Sequence, residues 1–240
     1  MQNGFKIFRQ TDRQSAAAEA GEHLNQFLIE NKTKPVLLMV SGGSAFAILD
    51  YVGKTTLGPN LTISVLDERF SQDPAINNFL QLQKTEFYKD ALDSEAHFFG
   101  TLARKEDTME TLAKRWEENL HKWREENPMG LIIATLGMGP DGHTAGVMPF
   151  PENSEKFNNL FESKPWVKAY DAGNKNPYKE RVTATLTFLK QINFAFALVC
   201  GQDKKEKLDC VIRNQGEFIK IPALAWHNIE NVNVFTDVQD

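Results

Sequence analysis

Several features that mark large classes of proteins are scarce or missing in this sequence of 240 residues. Two cysteines, Cys200 and Cys210, are too few for a disulfide framework, and we expect buried, reduced thiols. No apolar run reaches the roughly eighteen residues that a transmembrane helix needs. The opening stretch MQNGFKIFRQTDRQ has no apolar core of the kind found in export signals. We therefore expect a cytoplasmic protein that does not interact with membranes.

An excess of positive charge is also missing. The formal net charge is −5, and no basic block occurs. Nucleic acid is therefore not an expected partner. A small anionic substrate would need cations gathered locally, because the overall field of the protein would repel it.

Apolar runs of strand length alternate with helical patterns along the chain. Strands that are apolar throughout are typical of a parallel sheet covered on both faces. We predict an α/β fold with one doubly wound, mostly parallel sheet and helices on both faces, formed by a single domain over residues 1–240. The predicted strands are VLLMV (36–40), LTISVL (61–66), LIIATL (131–136), WVKAY (166–170), FAFALVCG (194–201) and VNVFTD (232–237). The predicted helices cover 12–30, 45–52, 77–91 and 106–126, and 149–181 is loop-like apart from WVKAY.

Three distinctive segments follow predicted strands. SGGS (41–44), DER (67–69) and GMGPDGH (137–143) each come directly after an apolar run. In doubly wound sheets, ligands bind beyond the carboxyl ends of the strands. We expect the fold to bring all three segments to one rim.

Ser41-Gly42-Gly43-Ser44 would supply backbone N–H groups and two hydroxyls at the start of a helix, which is a favourable anion site. A purely structural Gly-Gly turn is about equally consistent with these residues. The segment matches neither the phosphate-binding loop of nucleotide triphosphatases nor the dinucleotide fingerprint.

Asp67-Glu68-Arg69 supplies a cation beside two carboxylates. By itself this pattern is more typical of a surface ion pair with a nearby helix. A metal site formed with His143 is disfavoured, because no second histidine lies nearby in the sequence and no recognised ligand spacing is present.

Asp141 and His143 are separated by one glycine in a turn stiffened by Pro140. The carboxylate could contact an imidazole nitrogen and fix its tautomer, as in the base-and-orienter pairs of hydrolytic sites. In the alternative, Asp141 caps a helix beginning at Gly142 and the histidine packs in its first turn. The position at a ligand-binding rim favours the catalytic interpretation.

Arg181 and Lys204 would complete such a site. Lys204 follows the FAFALVCG strand, again at a carboxyl end. Each is an ordinary surface charge when considered alone. Together with the predicted topology they provide the local positive field that an anionic ligand would need.

These segments, in this order, resemble the family of 6-phosphogluconolactonases and glucosamine-6-phosphate deaminases over nearly the whole chain. The resemblance rests on SGGS, LDERF, LGMGPDGHTAGVMP, ERVTATLTFL and GQDK, of which GPDGHTA is the most specific. The chain departs from the family pattern at Phe46, at Asn77-Asn78 and at 146–149, where proline, Ser-Asn and Ser-Leu-Phe-Pro are usual.

The resemblance implies a modified Rossmann-like, sugar-phosphate isomerase-like fold and hydrolysis of 6-phospho-D-glucono-1,5-lactone without a metal or organic cofactor. Phosphate would lie against 41–44, with Arg181 and Lys204 as counter-charges, and Arg69 would hold phosphate or oxyanion. His143 would accept the proton of the attacking water, Asp141 would orient it, and Asp67 would shape the site. We expect a monomer or weak homo-oligomer.

Two other functions stay open. A glucosamine-6-phosphate deaminase needs a further carboxylate after the histidine to assist ring opening, but Met148 stands five positions after His143 and no acid lies between 144 and 151. A sugar-phosphate-binding regulator could have kept the pocket without turnover.

Overall fold

The computed structural model describes residues 4–239. Residues 1–3 and residue 240 lie outside this range. Residues 1–3 belong to the opening stretch in which no export signal is expected. The strands are β1 Gly4–Arg9, β2 Val36–Val40, β3 Leu61–Val65, β4 Asp67–Arg69, β5 His97–Phe98, β6 Leu131–Gly137, β7 Val167–Asp171, β8 Glu180–Ala184, β9 Phe194–Val199 and β10 Asn231–Thr236. The helices are α1 Arg13–Glu30, α2 Asn78–Leu82, α3 Glu86–Asp93, α4 Met109–Glu126, α5 Ser154–Phe161, α6 Leu186–Leu189 and α7 Lys205–Ile212.

Seven strands form a parallel sheet in the order β1-β10-β9-β6-β2-β3-β5. The strand order reverses between β2 and β6. From β2 the chain proceeds outward to β3 and β5. It then crosses back to β6 and proceeds outward on the other side to β9 and β10, which pairs with β1 at that edge. The crevice at such a reversal is where ligands bind in this class of fold. The predicted α/β class and parallel sheet are confirmed.

Both faces of the sheet are covered by apolar side chains. Along β2 every residue is buried, with Leu37 and Met39 in one core cluster and Leu38 and Val40 in the other. This alternation follows from the two-residue period of a strand. It explains why VLLMV is apolar throughout, and it confirms the interpretation of such runs as doubly covered strands.

The long helices begin at local sequence signals. The side chain of Asp12 accepts a hydrogen bond from the main-chain N–H of Ser15 at the start of α1. Thr108 and Thr111 form a reciprocal capping box at the start of α4. Each arrangement satisfies N–H groups that would otherwise lack partners in the first helical turn.

A second, antiparallel sheet was not predicted. Its order is β4-β8-β7. The WVKAY segment was therefore correctly predicted as a strand but wrongly assigned to the parallel sheet. The DER segment, which was predicted only to follow a strand, forms the strand β4 itself. This strand is recognisable only through its pairing with β8, because three polar residues carry no strand pattern.

Three local predictions differ in detail from the structure. Residues 45–52 were predicted as a helix, and the structure has a helix at Gly43–Tyr51, but it is of the 3₁₀ type. The predicted helix 77–91 is divided into α2 and α3 by a turn, and α3 has Thr85 as its N-cap. The segment 149–181, predicted as loop-like apart from WVKAY, also contains the helix α5.

Across residues 4–239, none of the helices is long and apolar enough to cross a lipid bilayer. Cys200 and Cys210 are half-buried free thiols. Burial raises the pKa of Cys200 to about 11, so its thiol is protonated at neutral pH and unreactive.

Candidate active site

A cleft of about 200 Å³ opens at the crevice between β2 and β6. Every residue predicted for the site lines this cleft except Asp141, which contacts His143 instead. The lining residues are Ser41, Gly42, Gly43, Ser44, Asp67, Arg69, Asn78, Gly137, Met138, Gly139, Pro140, His143, Ala145, Asn176, Arg181 and Lys204.

The loop after β6 is fixed by its own hydrogen bonds. The N–H of Gly139 donates to the carbonyl of His143 at 2.9 Å, and the hydroxyl of Thr144 donates to the carbonyl of Gly137 at 2.9 Å. The indole N–H of Trp226 donates to the same hydroxyl at 3.0 Å. Residues 141–147 form turns and isolated bridges, so the alternative in which Asp141 caps a helix is wrong.

His143 is held by the carboxylate of Asp141. Its Nδ1 lies 2.5 Å from Asp141 Oδ1, and its main-chain N–H donates to the same oxygen at 3.1 Å. Burial acts to raise the pKa of Asp141, but the hydrogen bond and charge of His143 outweigh it, and the pKa falls below 3.8. An ionised Asp141 assigns the proton to Nδ1, which leaves the Nε2 lone pair available to accept another.

Gly139 makes the position of the imidazole ring possible. A Cβ atom at this residue would lie 2.1 Å from Cε1 and 2.2 Å from Nδ1 of His143. No side chain is tolerated at such distances without moving the ring. Among the glycines of GMGPDGH, Gly139 therefore matters most for His143, because the imidazole ring packs directly against it.

The Ser41–Ser44 loop forms the wall on the β2 side. Ser41 is buried, and its hydroxyl has no hydrogen-bond partner among residues 4–239. Gly43 is exposed and has φ +65° at the first residue of the 3₁₀ helix, a conformation that favours glycine. The loop leads into a 3₁₀ helix at Gly43, and the N–H of Ser41 already donates to Thr135 at 3.2 Å.

Arg181 and Asp67 form a buried ion pair across β8 and β4. Nη2 of Arg181 lies 2.5 Å from Oδ2 of Asp67, and their side chains are 3% and 6% exposed. The predicted ion pair of the DER segment therefore exists, but it is buried and its partner is a strand residue, not a helix. Because Asp67 compensates the charge of Arg181, this guanidinium contributes less free positive charge than the sequence implied.

Arg69 and Lys204 are the two other cations of the cleft. Nη1 of Arg69 donates to the carbonyl of Ile76 at 3.0 Å, and its guanidinium carbon lies 5.2 Å from the centre of the Tyr178 ring. Within residues 4–239 neither cation has a carboxylate partner within 4.0 Å. Burial lowers the pKa of Lys204 below the ordinary lysine value of 10.5, as expected for a half-buried ammonium group.

Three residues near the site were missed in the sequence. Asn78 and Asn176 both line the cleft. Asn78 is buried, and its side-chain N–H donates to the carbonyl of Asp67 at 2.8 Å. Glu68 is fully buried behind the lining and accepts four hydrogen bonds. The sequence offered one signal for Asn78. Asparagine is favoured as an N-cap residue, so an N-cap at Asn77 would have placed Asn78 at the first position of a helix.

In the part of the chain that the structure describes, no three His, Cys, Asp or Glu side chains are grouped so that they could hold a metal ion. The chemistry available to the cleft is that of an oriented imidazole, three basic side chains and a set of N–H and hydroxyl donors.

Comparison with known proteins connects this geometry to a family. Residues 11–234 match the family model described as glucosamine-6-phosphate isomerases/6-phosphogluconolactonase. The chain belongs to this family. It is 31% identical over 221 residues to 6-phosphogluconolactonase of Pseudomonas aeruginosa, with 88% of each chain covered. A putative 6-phosphogluconolactonase of Caenorhabditis elegans is 34% identical over 98 residues, which is only 35% of that protein's length. The solved structure of 6-phosphogluconolactonase from Trypanosoma brucei superposes with a TM-score of 0.76 at 18% identity, covering 98% of this chain and 96% of that one.

The departures from the usual pattern of the glucosamine-6-phosphate isomerase/6-phosphogluconolactonase family lie mostly outside the cleft lining. Phe46 is half-buried and packs against the core on the α1 side of the sheet. Met148 is 1% exposed and belongs to the core on the opposite side. Asn77 caps α2 by accepting the N–H of Leu80 at 2.8 Å, which is a role serine also performs.

Proposed function

We propose that this protein hydrolyses 6-phospho-D-glucono-1,5-lactone to 6-phospho-D-gluconate. Family membership supports this reaction class. The observation that carries the proposal is the presence of a carboxylate-held imidazole, His143, in the same cleft as Lys204 and the Ser41–Ser44 loop. The imidazole can activate water, and Lys204 and the Ser41–Ser44 loop suit the phosphate at the far end of the substrate.

In the proposed mechanism, Nε2 of His143 takes a proton from a water molecule as the water oxygen attacks C1 of the lactone. The tetrahedral intermediate then collapses, and the bond between C1 and the ring oxygen breaks. The imidazolium returns its proton to the ring oxygen, which becomes a hydroxyl, and the new carboxylic acid loses its proton to solvent. General base assistance of this kind contributes on the order of 10²–10⁴ in rate.

We assign the phosphate to the Ser41–Ser44 loop with Lys204 as its principal counter-charge. Backbone N–H groups at a helix start and an ammonium group are suited to phosphate oxygens. Arg181 would contribute to the same field while paired with Asp67. Arg69, which has no carboxylate partner among residues 4–239, would bind phosphate or the developing oxyanion.

The deaminase alternative would require a further carboxylate near the histidine. Met148, at the position five after His143, is buried in the core and does not line the cleft. The structure therefore favours hydrolysis over ring-opening isomerisation, because the pocket offers no second proton carrier at that point.

The proposal is tested with purified protein and freshly prepared lactone. Acid release should exceed the spontaneous rate in proportion to enzyme concentration. Glucosamine 6-phosphate should yield no ammonia. Thermal stabilisation by 6-phosphogluconate without any acceleration of lactone loss would contradict the proposal and identify a regulator.

A further inference from the structure

Glu68 is a buried carboxylate next to the cleft. It has 0% exposure and does not line the cavity. Its Oε1 accepts the main-chain N–H of Arg69 at 2.8 Å and of Asn78 at 2.6 Å. Its Oε2 accepts the N–H of Phe79 at 3.0 Å and the hydroxyl of Thr101 at 2.7 Å.

These four donors join three parts of the chain. Arg69 is the last residue of β4, Asn78 and Phe79 are the first two residues of α2, and Thr101 lies beyond β5. The first helical N–H groups otherwise lack partners, so the carboxylate acts as an internal cap in addition to Asn77. Glu68 therefore fixes the spacing between β4 and α2.

No cation compensates Glu68, since it forms no ion pair within residues 4–239. Burying a carboxylate without a counter-ion is costly, and an apolar residue would usually stabilise a core better. The carboxylate is suited instead to holding several donors in one geometry. Two of those donors, the N–H groups of Arg69 and Asn78, belong to residues that line the cleft.

Asn78 connects Glu68 to the buried ion pair between Asp67 and Arg181. The side-chain N–H of Asn78 donates to the carbonyl of Asp67, whose carboxylate binds Arg181. A Cβ atom on Gly42 would lie 2.3 Å from Oδ1 of Asn78, so the amide also packs tightly against the Ser41–Ser44 loop. A shift of Asn78 would disturb both the Ser41–Ser44 loop and the ion pair between Asp67 and Arg181.

We propose that Glu68 is a positioning residue for substrate binding, acting through Asn78 and through Arg69 in its phosphate-binding role. This inference rests on the proposed lactonase function. All four donors to Glu68 lie in residues 69–101, whereas His143 is held by Asp141 in the loop after β6. Loss of Glu68 should therefore weaken binding of the sugar phosphate more than it slows the chemical step.

Glu68→Gln tests this. The side chains have the same shape, but the amide replaces one accepting oxygen with an N–H₂ group that faces two donors, so at least two hydrogen bonds are lost. We expect KM for the lactone and Ki for 6-phosphogluconate to rise about tenfold or more, with kcat within about threefold of wild type. Glu86→Gln is the matched control, because Glu86 is an exposed carboxylate whose ion-pair partner is the exposed Lys89, and the KM of this variant should not change.

Thr101→Val and a double-mutant cycle complete the test. Thr101→Val removes one donor and should raise KM by a smaller factor, which keeps the inference testable if Glu68→Gln does not fold. The effects of Glu68→Gln and Asn78→Ala on KM should be non-additive, because Glu68 is proposed to act through Asn78. An unchanged KM in Glu68→Gln, or a fall in kcat with KM unchanged, would overturn the inference. Failure of the proposed function is distinct, since wild type itself would then not hydrolyse the lactone.

Discussion

Nδ1 of His143 and Oδ1 of Asp141 lie 2.5 Å apart, and the same oxygen accepts the main-chain N–H of His143. One carboxylate oxygen thus fixes both the backbone and the ring of the same residue. The ring can turn only if that hydrogen bond breaks. This pair is the part of the site on which the proposed chemistry most depends.

Asp141→Asn should slow lactone hydrolysis by about 10² or more, within the range of 10²–10⁴ that general base catalysis supplies. The amide can present N–H₂ to the ring and favour the wrong tautomer. KM and the midpoint of thermal unfolding should change little. A variant with wild-type kcat would remove Asp141 from the mechanism.

Gly139→Ala should displace His143, because the new Cβ would lie 2.1 Å from Cε1 of the ring. We expect kcat to fall by about the same factor as for loss of the base, while 6-phosphogluconate still binds. Gly53→Ala is the control, since its nearest neighbour would be 3.9 Å away. Isothermal titration and steady-state kinetics measure the two effects, and equal activity of both variants would contradict the geometry.

The affinity for 6-phosphogluconate should depend on pH through Lys204. Burial lowers its pKa below 10.5, so the ammonium group loses its proton, and the ligand loses its counter-charge, before an ordinary lysine would. Binding should therefore weaken as the pH rises toward 10.5, by about tenfold for one lost charge-assisted contact. Lys204→Arg stays charged throughout and should retain affinity at alkaline pH. If the affinity of wild type and of Lys204→Arg for 6-phosphogluconate changed with pH in the same way, the assignment of Lys204 as counter-charge would be refuted.

Breaking the buried pair between Arg181 and Asp67 should destabilise the fold. Arg181→Met leaves an uncompensated carboxylate that is 6% exposed, and the free energy of unfolding should fall by about 3–5 kcal/mol. Urea denaturation measures this loss. Lys89→Met removes an exposed partner of Glu86 and should cause no measurable loss. Similar losses for the two variants would show that the buried pair has no special role.

The pH dependence of stability provides a test of Glu68 that does not involve catalysis. Burial raises its pKa from 4.5 to about 7, although its four hydrogen bonds act in the opposite direction. The folded state then keeps a proton that the unfolded state has lost. The contribution of Glu68 to stability is therefore fully present below pH 4.5 and is lost as the pH rises through about 7. Glu68→Gln should lack this part of the slope when unfolding is measured across that range, and identical slopes would contradict the shift.

The parallel sheet could be predicted from the sequence because its strands are covered on both faces. VLLMV was predicted as a strand at 36–40, and the structure has Val36–Val40. Continuous apolar runs at this length are informative since few other elements produce them. The helix predicted at 106–126 was also close to Met109–Glu126, where one apolar stripe is periodic.

The antiparallel sheet could not be predicted in the same way. Asp67–Arg69 becomes a strand only because it pairs with Glu180–Ala184, more than a hundred positions later. Its carboxylates are buried because they find an arginine and several N–H donors in the folded chain. In the sequence, Glu68 is indistinguishable from a surface charge, which is why its burial was not predicted.

The candidate site was predicted better than its surroundings. Ser41, His143, Arg181 and Lys204 lie in different segments, yet topology brings them to one cleft. The rule that ligands bind at the carboxyl ends of parallel strands accounts for Ser41, His143 and Lys204, whereas Arg181 reaches the cleft from the antiparallel strand β8. The sequence did not reveal that Arg181 is paired with Asp67, since such pairings depend on tertiary geometry.

The central claim is that the imidazole of His143 activates the attacking water. The most direct measurement compares kcat for lactone hydrolysis in His143→Asn and wild type, alongside the affinity of each for 6-phosphogluconate. We predict that kcat falls by about 10²–10⁴ while the affinity changes by less than about threefold. Wild-type kcat in His143→Asn, with the fold and binding intact, would contradict the account.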